Sequence, residues 1–341
     1  MLEHGGNLAD AVRHFGRPLQ DWIDLSTGIN PRFYPVPPVA ENAWHRLPEK
    51  SDELVLAAQD FYGAPRMLAV AGTQAAIQAL PRLRAASRVL VSAPSYAEHA
   101  HQWRQHAHQR GNQYLHQVRE VAYADLDAAV SSADVVVICN PNNPTGAGMQ
   151  PQTLMRWADE LRSRGGWLVV DEAFADTLPG ASIAAYTDKP GLIVLRSVGK
   201  FFGLAGLRLG FVAAEEALLA QLENYLGPWT ISGPAQQIAC AALKDVAWQN
   251  DTRLYLQQQG DRLRALLKKH GYRSSGTDLF QWCSDADLQG QAEQLWQHMA
   301  EQGIWIRLFR EAARGVRFGL PADEAAWRRL ELAFELGLMR K

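Results

Sequence analysis

Lys200 lies in the segment of this sequence most suggestive of chemistry. It follows the apolar run Leu192 to Leu195 and opens an aromatic, glycine-rich stretch, Lys200-Phe201-Phe202-Gly203-Leu204-Ala205-Gly206-Leu207-Arg208. An ammonium in such surroundings loses hydration, which lowers its pKa and makes the amine a nucleophile. Lysines are ordinarily exposed, so the reading needs support from elsewhere. Three further segments supply it. Ala71-Gly72-Thr73-Gln74 turns an apolar run into a helix, whose first amides and positive dipole end suit a phosphate, although Thr73 there also reads as a plain cap. Cys139-Asn140-Pro141-Asn142-Asn143-Pro144-Thr145-Gly146 is a rigid turn whose asparagine amides can donate to a phenolate without carrying charge. Val169-Val170-Asp171-Glu172-Ala173-Phe174 ends a buried run in two carboxylates, costly there without a cationic partner.

Each segment has rival readings. Paired acids at a strand end suit a metal, a general acid and base, or the hydrolysis strand of an ATPase. The last fails, because neither G-x-x-x-x-G-K-[ST] nor G-x-G-x-x-G occurs. Ser197-x-x-Lys200 also spells the start of a serine acyl-enzyme, whose S-D-N and K-T-G companions are missing. Cys139, Cys240 and Cys283 have no metal-ligand spacing, so neither a zinc site nor a disulfide framework is expected. His99, His101, His106 and His108 crowd one helical segment; pairs two apart point away from each other, which reads as a solvated helix.

The elements that must position these residues alternate between about residues 66 and 213. Apolar runs at Met67 to Ala71, Arg88 to Ser92, Val135 to Cys139, Trp167 to Val170, Leu192 to Leu195 and Leu207 to Val212 are separated by amphipathic stretches. That is the pattern of a mostly parallel sheet covered by helices, with ligands at the strand ends. Residues 1 to 44, rich in Gly, Pro and Asn, read as mostly irregular. Residues 231 to 341 carry helical patterns at Val246 to His270 and Asp323 to Leu338, and strand-like runs at Phe280 to Cys283, Ile304 to Phe309 and Val316 to Leu320. The expected division is a large domain over 45–230, with 1–44 and 231–341 forming an arm and a small α/β domain.

Composition narrows the class of partner. With 47% hydrophobic and 21% charged residues the chain is an ordinary globular protein, and its 341 residues suit two domains. Thirty-four basic and 36 acidic side chains leave a net charge of -2, no general attraction for nucleic acid or an anionic membrane. No apolar run has the roughly 18 residues a membrane span needs, and Met1 to Asp10 lacks a secretory apolar core, so a soluble cytoplasmic protein is expected.

Taken in order, Asn-Pro-Asn-Asn-Pro-Thr-Gly, Asp-Glu-Ala-Phe and Ser-x-x-Lys, with Arg208 eight residues beyond the lysine, resemble the fold-type I pyridoxal-phosphate enzymes across nearly the whole chain. The resemblance implies an aspartate-aminotransferase-like α/β fold, a homodimer, and pyridoxal 5'-phosphate as cofactor. It implies that Lys200 is the Schiff-base lysine, that Asp171 pairs with the pyridinium nitrogen, that Asn143 donates to the phenolic oxygen, and that Tyr96 stacks on the ring. Gly72, Thr73, Gln74, Ser197 and Arg208 would hold the cofactor phosphate. Two departures stand out: Phe174 and Leu47 occupy positions where relatives often have Tyr, and that second Tyr touches the neighbouring subunit's cofactor phosphate.

The opening Glu3-His4-Gly5-Gly6-Asn7, with Asp24-Leu25-Ser26-Thr27-Gly28-Ile29-Asn30-Pro31, resembles the threonine-phosphate decarboxylases of cobalamin biosynthesis; the bland alternative is a glycine turn capped by Asn7. The implied substrate is a small phosphorylated amino acid. Arg307, Arg310, Arg314 and Arg317 fall within eleven positions, and guanidinium forks suit carboxylate and phosphate. Arg317 resembles the α-carboxylate arginine and Arg307 a substrate-phosphate contact, joined by His4 and Asn30. Arg310 and Arg314 read as a solvated face. The alternative within the resemblance is an aminotransferase acting on histidinol phosphate or a related amino acid.

Overall fold

The computed structural model describes residues 4–107, 116–311 and 313–338. Its first strand is the short β1 (Ile23–Leu25), and the next seven build one sheet: β2 (Met67–Val70), β3 (Arg88–Ala93), β4 (Gln117–Ala122), β5 (Val135–Cys139), β6 (Trp167–Asp171), β7 (Leu192–Ser197) and β8 (Gly210–Ala213). Four later strands, β9 (Ser275–Thr277), β10 (Phe280–Ser284), β11 (Ile304–Phe309) and β12 (Gly315–Gly319), join β1 in a second sheet.

The larger sheet runs β2-β8-β7-β6-β5-β3-β4, parallel throughout except for β8, which is antiparallel to both neighbours. Its central strands are continuous apolar runs because helices cover both faces: Val135 to Ile138 and Val169, Val170 and Ile193 to Leu195 are at most 1% exposed. Strand β4 escaped the sequence reading. As an edge strand it leaves all but Val118 and Val121 exposed, so it lacks the apolar run that marks the others.

Contacts divide the chain into a larger unit, 33–143 with 147–250, and a smaller one, 1–32 with 144–146 and 251–341. The division falls elsewhere than the patterning suggested, for residues 33–44 and 231–250 belong with the larger unit. There the Tyr34 amide donates to the Phe202 carbonyl at 2.8 Å, and helix Gly233–Lys244 passes so near residue 43 that a Cβ on Gly233 would lie 2.6 Å from the Ala43 carbonyl oxygen. Glycine is required at that approach.

The smaller unit carries the sheet β1-β11-β12-β10-β9, with β1 and β11 parallel and the other pairs antiparallel. The N-terminal segment is more ordered than its composition suggests. It contains helix Leu8–Phe15, capped by the Asn7 side chain, and its Phe15 and Trp22 rings meet Trp305 edge-on at 6.2 and 5.8 Å. Packing of those apolar rings outweighs the weak local propensity.

Candidate functional site

Parallel strands deliver their C-terminal ends to one edge of a sheet, and the larger unit places its polar residues there. Tyr96 follows β3, Asn143 follows β5, Asp171 ends β6, and Ser197 and Lys200 lie at and beyond the end of β7. Gly72 and Thr73 follow β2. That strand reaches the same edge because Gly210, the first residue of β8, is registered against both Val70 and Ser197.

Gly210 is a functional residue that the sequence reading missed. A Cβ there would lie 2.9 Å from the Thr73 amide nitrogen and 2.9 Å from the Arg196 carbonyl oxygen, so only glycine lets these segments close up. Arg208, two residues earlier, adopts a left-handed φ of 53°, and its Nη2 would be 2.8 Å from a Cβ on Gly72, itself at φ +72°. The exposed guanidinium donates to the Ala205 carbonyl at 3.1 Å and has no acidic partner among the described residues. Gly72, Thr73, Ser197 and Arg208 thus form a cradle of backbone amides, a hydroxyl and a cation. Helix Thr73–Ala79 is too short for its dipole to be the main attraction; the guanidinium supplies the charge. The Gln74 side chain accepts from the Tyr96 hydroxyl at 3.2 Å and donates to Glu98 at 2.9 Å.

The asparagine-rich turn separates into distinct roles. Asn140 exchanges hydrogen bonds with the Met149 backbone, and Asn142, fully buried, donates to the Pro94 carbonyl at 2.8 Å. Both shape the loop, and Asn143 is the half-buried member of the three. Lys200 is also half-buried, its Nζ 5.4 Å from the centre of the Phe174 ring.

Asp171 is 6% exposed, and its cationic partner is His99, whose Nε2 lies 2.9 Å from Oδ2; the other carboxylate oxygen accepts from the Ala173 amide at 3.0 Å. This corrects the solvated reading of the histidine-rich helix, since His99 is 2% exposed. The His106 side chain and His108 lie outside the described residues. Burial alone would lower the His99 pKa; the Cys139 sulfur and the bond to Asp171 more than reverse that, raising it to about 10. The signal available in the sequence was its spacing, one helical turn beyond Tyr96 and so on the same face. His99, Cys139 and Asp171 offer ligand atoms within 4.8 Å of one another, a set a metal could use. Two of these three ligand atoms are already taken up by the 2.9 Å bond between His99 and Asp171, and an ion pair that holds the carboxylate is the better account.

A second buried cluster backs the first. Arg196, 4% exposed, forms ion pairs with Glu172 and Asp176 and stacks on Tyr62 at 4.5 Å, joining the end of β7 to the loop after β6. Glu172, the second acid of the Asp-Glu pair, is thereby structural.

In the smaller unit, Arg307 and Arg317 are directly registered across β11 and β12. Arg317 is 6% exposed and donates to the Ser26 carbonyl at 2.8 Å; burial, then the like charge of Arg307, lowers its pKa to about 9. An Arg307 nitrogen is 3.5 Å from the His4 carbonyl, and Asn30, 1% exposed, accepts from the Arg32 amide at 2.9 Å. Asn7 caps a helix, while Gly5 lies so close to the Ser26 carbonyl that any Cβ would collide with it, and Gly6 donates to Ser26 Oγ at 2.7 Å. Arg310 and Arg314 are exposed beside Glu293 and Asp285, at 3.3 and 3.4 Å.

Residues 40–322 match the model of the aminotransferase class I and II family. The chain belongs to that family. Among its relatives are a threonine-phosphate decarboxylase from Pseudomonas aeruginosa, 49% identical over 98% of this chain and 97% of the relative, and another from a Sinorhizobium species, 40% identical over 96% of each. The fold is also that of the histidinol-phosphate aminotransferase from Clostridium acetobutylicum, with a TM-score of 0.76 and 21% identity, covering 91% of this chain and 97% of that one. As an aminotransferase-family sheet, the larger unit has its cradle, buried carboxylate and lysine on one edge.

Proposed function

We propose that this chain decarboxylates O-phospho-L-threonine to 1-amino-2-propanol O-phosphate with pyridoxal 5'-phosphate as cofactor, a step serving cobalamin biosynthesis in the cytoplasm. The observation that carries the reading is the likeness, over nearly the full length of both chains, to threonine-phosphate decarboxylases. The site fits the cofactor. An exposed guanidinium without an acidic partner among the described residues stands over a glycine cradle, and a buried carboxylate is held on the same sheet edge.

Gly72, Thr73, Gln74, Ser197 and Arg208 take the cofactor phosphate, Asn143 donates to its phenolic oxygen, and Tyr96 covers its ring. Asp171, oriented by His99, keeps the ring nitrogen protonated. When bound, the cofactor supplies an electron sink for the pair released as a bond to the substrate α-carbon breaks. Lys200 would anchor the cofactor between turnovers and, once freed and carrying a proton on Nζ, would give that proton to the α-carbon after CO2 has left, becoming the neutral amine again.

The smaller unit supplies the substrate's anion partners. Arg317 takes the α-carboxylate, and Arg307, with His4 and Asn30, takes the phosphate. Two anchored anions fix the orientation of the α-carbon, which decides the bond that breaks. The larger unit exposes Trp44, Leu47 and Trp229 at 61 to 70%, which supports a homodimer. Leu47 cannot donate to a phosphate across it.

Measuring CO2 released from phosphothreonine by the purified enzyme and cofactor, with no keto acid present, tests the reaction. Release with matching amine product is expected. Amino transfer that needs a keto acid would instead favour the aminotransferase reading.

A further inference from the structure

Glu98 carries no role in the reaction described so far, yet a chain of side chains links it to two of the cofactor-facing residues. The Tyr96 hydroxyl is 3.2 Å from Gln74 Oε1, and Gln74 Nε2 is 2.9 Å from Glu98 Oε2. Gln102 Nε2 donates to the same carboxylate oxygen at 3.0 Å, which holds it in place from within helix Ala97–Ala107.

The direction of this chain follows from chemistry. An ionised carboxylate accepts and cannot donate, so it selects the NH2 end of the Gln74 amide. The carbonyl end then faces Tyr96, and a carbonyl can only accept. The phenol must therefore be the donor. Its proton is committed to Gln74, and its ring is held at the hydroxyl by that bond and at its edge by His99, with ring centres 6.0 Å apart.

We propose that Glu98 is a positioning residue, which orients the Gln74 amide so that Tyr96 serves as a fixed aromatic face and takes no part in proton transfer, leaving that task to Lys200. This inference rests on the function proposed above. Burial, followed by the negative charge of Glu98 and Asp171 and by the Cys139 sulfur, raises the phenol pKa against the opposing influence of Arg208, in keeping with a hydroxyl that stays protonated.

The test is a double-mutant cycle on the full-length holoenzyme. Glu98→Gln keeps the shape but adds a donor, so the Gln74 amide can turn over and free the phenol proton. We expect kcat on phosphothreonine to fall about five- to tenfold, with cofactor content and KM close to wild type. In a Tyr96→Phe background the same Glu98→Gln change should alter kcat less than twofold, because Glu98 acts through the hydroxyl. A loss that persists in that background, or a Glu98→Gln enzyme within twofold of wild type, overturns the inference. Should Glu98→Gln lower the melting temperature enough to cloud the comparison, Gln74→Leu offers a second route: it should show the same drop, and adding Glu98→Gln to it should cost no more. Wild-type enzyme that releases no CO2 from phosphothreonine overturns the proposed function instead.

Discussion

The two units treat buried charge in opposite ways. In the larger unit each buried ionic group described has a counter-charge: Asp171 has His99, and Arg196 has Glu172 and Asp176. In the smaller unit Arg317 is just as buried but stands beside another arginine, and the acid nearest in influence, Asp24, already accepts from the Ser26 amide and hydroxyl at 2.8 and 2.6 Å. Arg317 donates to the Ser26 carbonyl at 2.8 Å, and the strand register sets it directly against Arg307. The contrast separates buried groups held by opposite charge from two like charges set side by side, to which the proposed function gives a doubly anionic substrate.

That contrast can be broken at several points. The largest effect is expected at Lys200→Ala, which should abolish turnover and leave no cofactor that borohydride can fix to the protein. A stable lysine-linked cofactor with near-normal turnover would show that the larger unit's chemistry resides elsewhere. Asp171→Asn should retain cofactor yet lose about a thousandfold in kcat, equivalent to about 4 kcal/mol of transition-state stabilisation; a variant within threefold of wild type removes the electron-sink role.

In the smaller unit, Arg307→Ala should weaken kcat/KM for phosphothreonine by ten- to a hundredfold, about 1.4 to 2.7 kcal/mol, and leave threonine nearly unchanged. Equal losses on both substrates would remove the phosphate assignment. His99→Phe sharpens the comparison through pH. The His99 pKa is raised from 6.5 to about 10 in the folded protein, so its stabilising contribution is complete below pH 6.5 and fades as pH rises toward 10. The melting temperatures of wild type and His99→Phe should therefore differ most near pH 6 and converge by pH 10; a gap that widens with pH contradicts the ion pair. The smallest effect belongs to Arg314→Ala, whose exposed pairing with Asp285 predicts kcat/KM within twofold of wild type.

The sequence made the larger unit's framework readable because its strands are buried on both faces and so appear as unbroken apolar runs ending in polar residues. What stayed hidden depends on contacts between residues far apart in the chain. His99 gains its charge partner across 72 positions, and Gly210 matters only because Val70 and Ser197 both lie beside it. Edge strand β4 and helix Leu8–Phe15 were obscured for a different reason: their local patterns are polar or irregular, and packing decides their form. The paired arginines of the smaller unit were visible as types, whereas their direct register was not.

The central claim is that the substrate phosphate selects the reaction as well as the molecule, and steady-state kinetics of the wild-type enzyme on threonine and on O-phospho-L-threonine test it most directly. The account predicts that threonine loses in kcat as well as in KM, because one missing anion leaves the α-carboxylate unfixed. Equal kcat on the two substrates would contradict it.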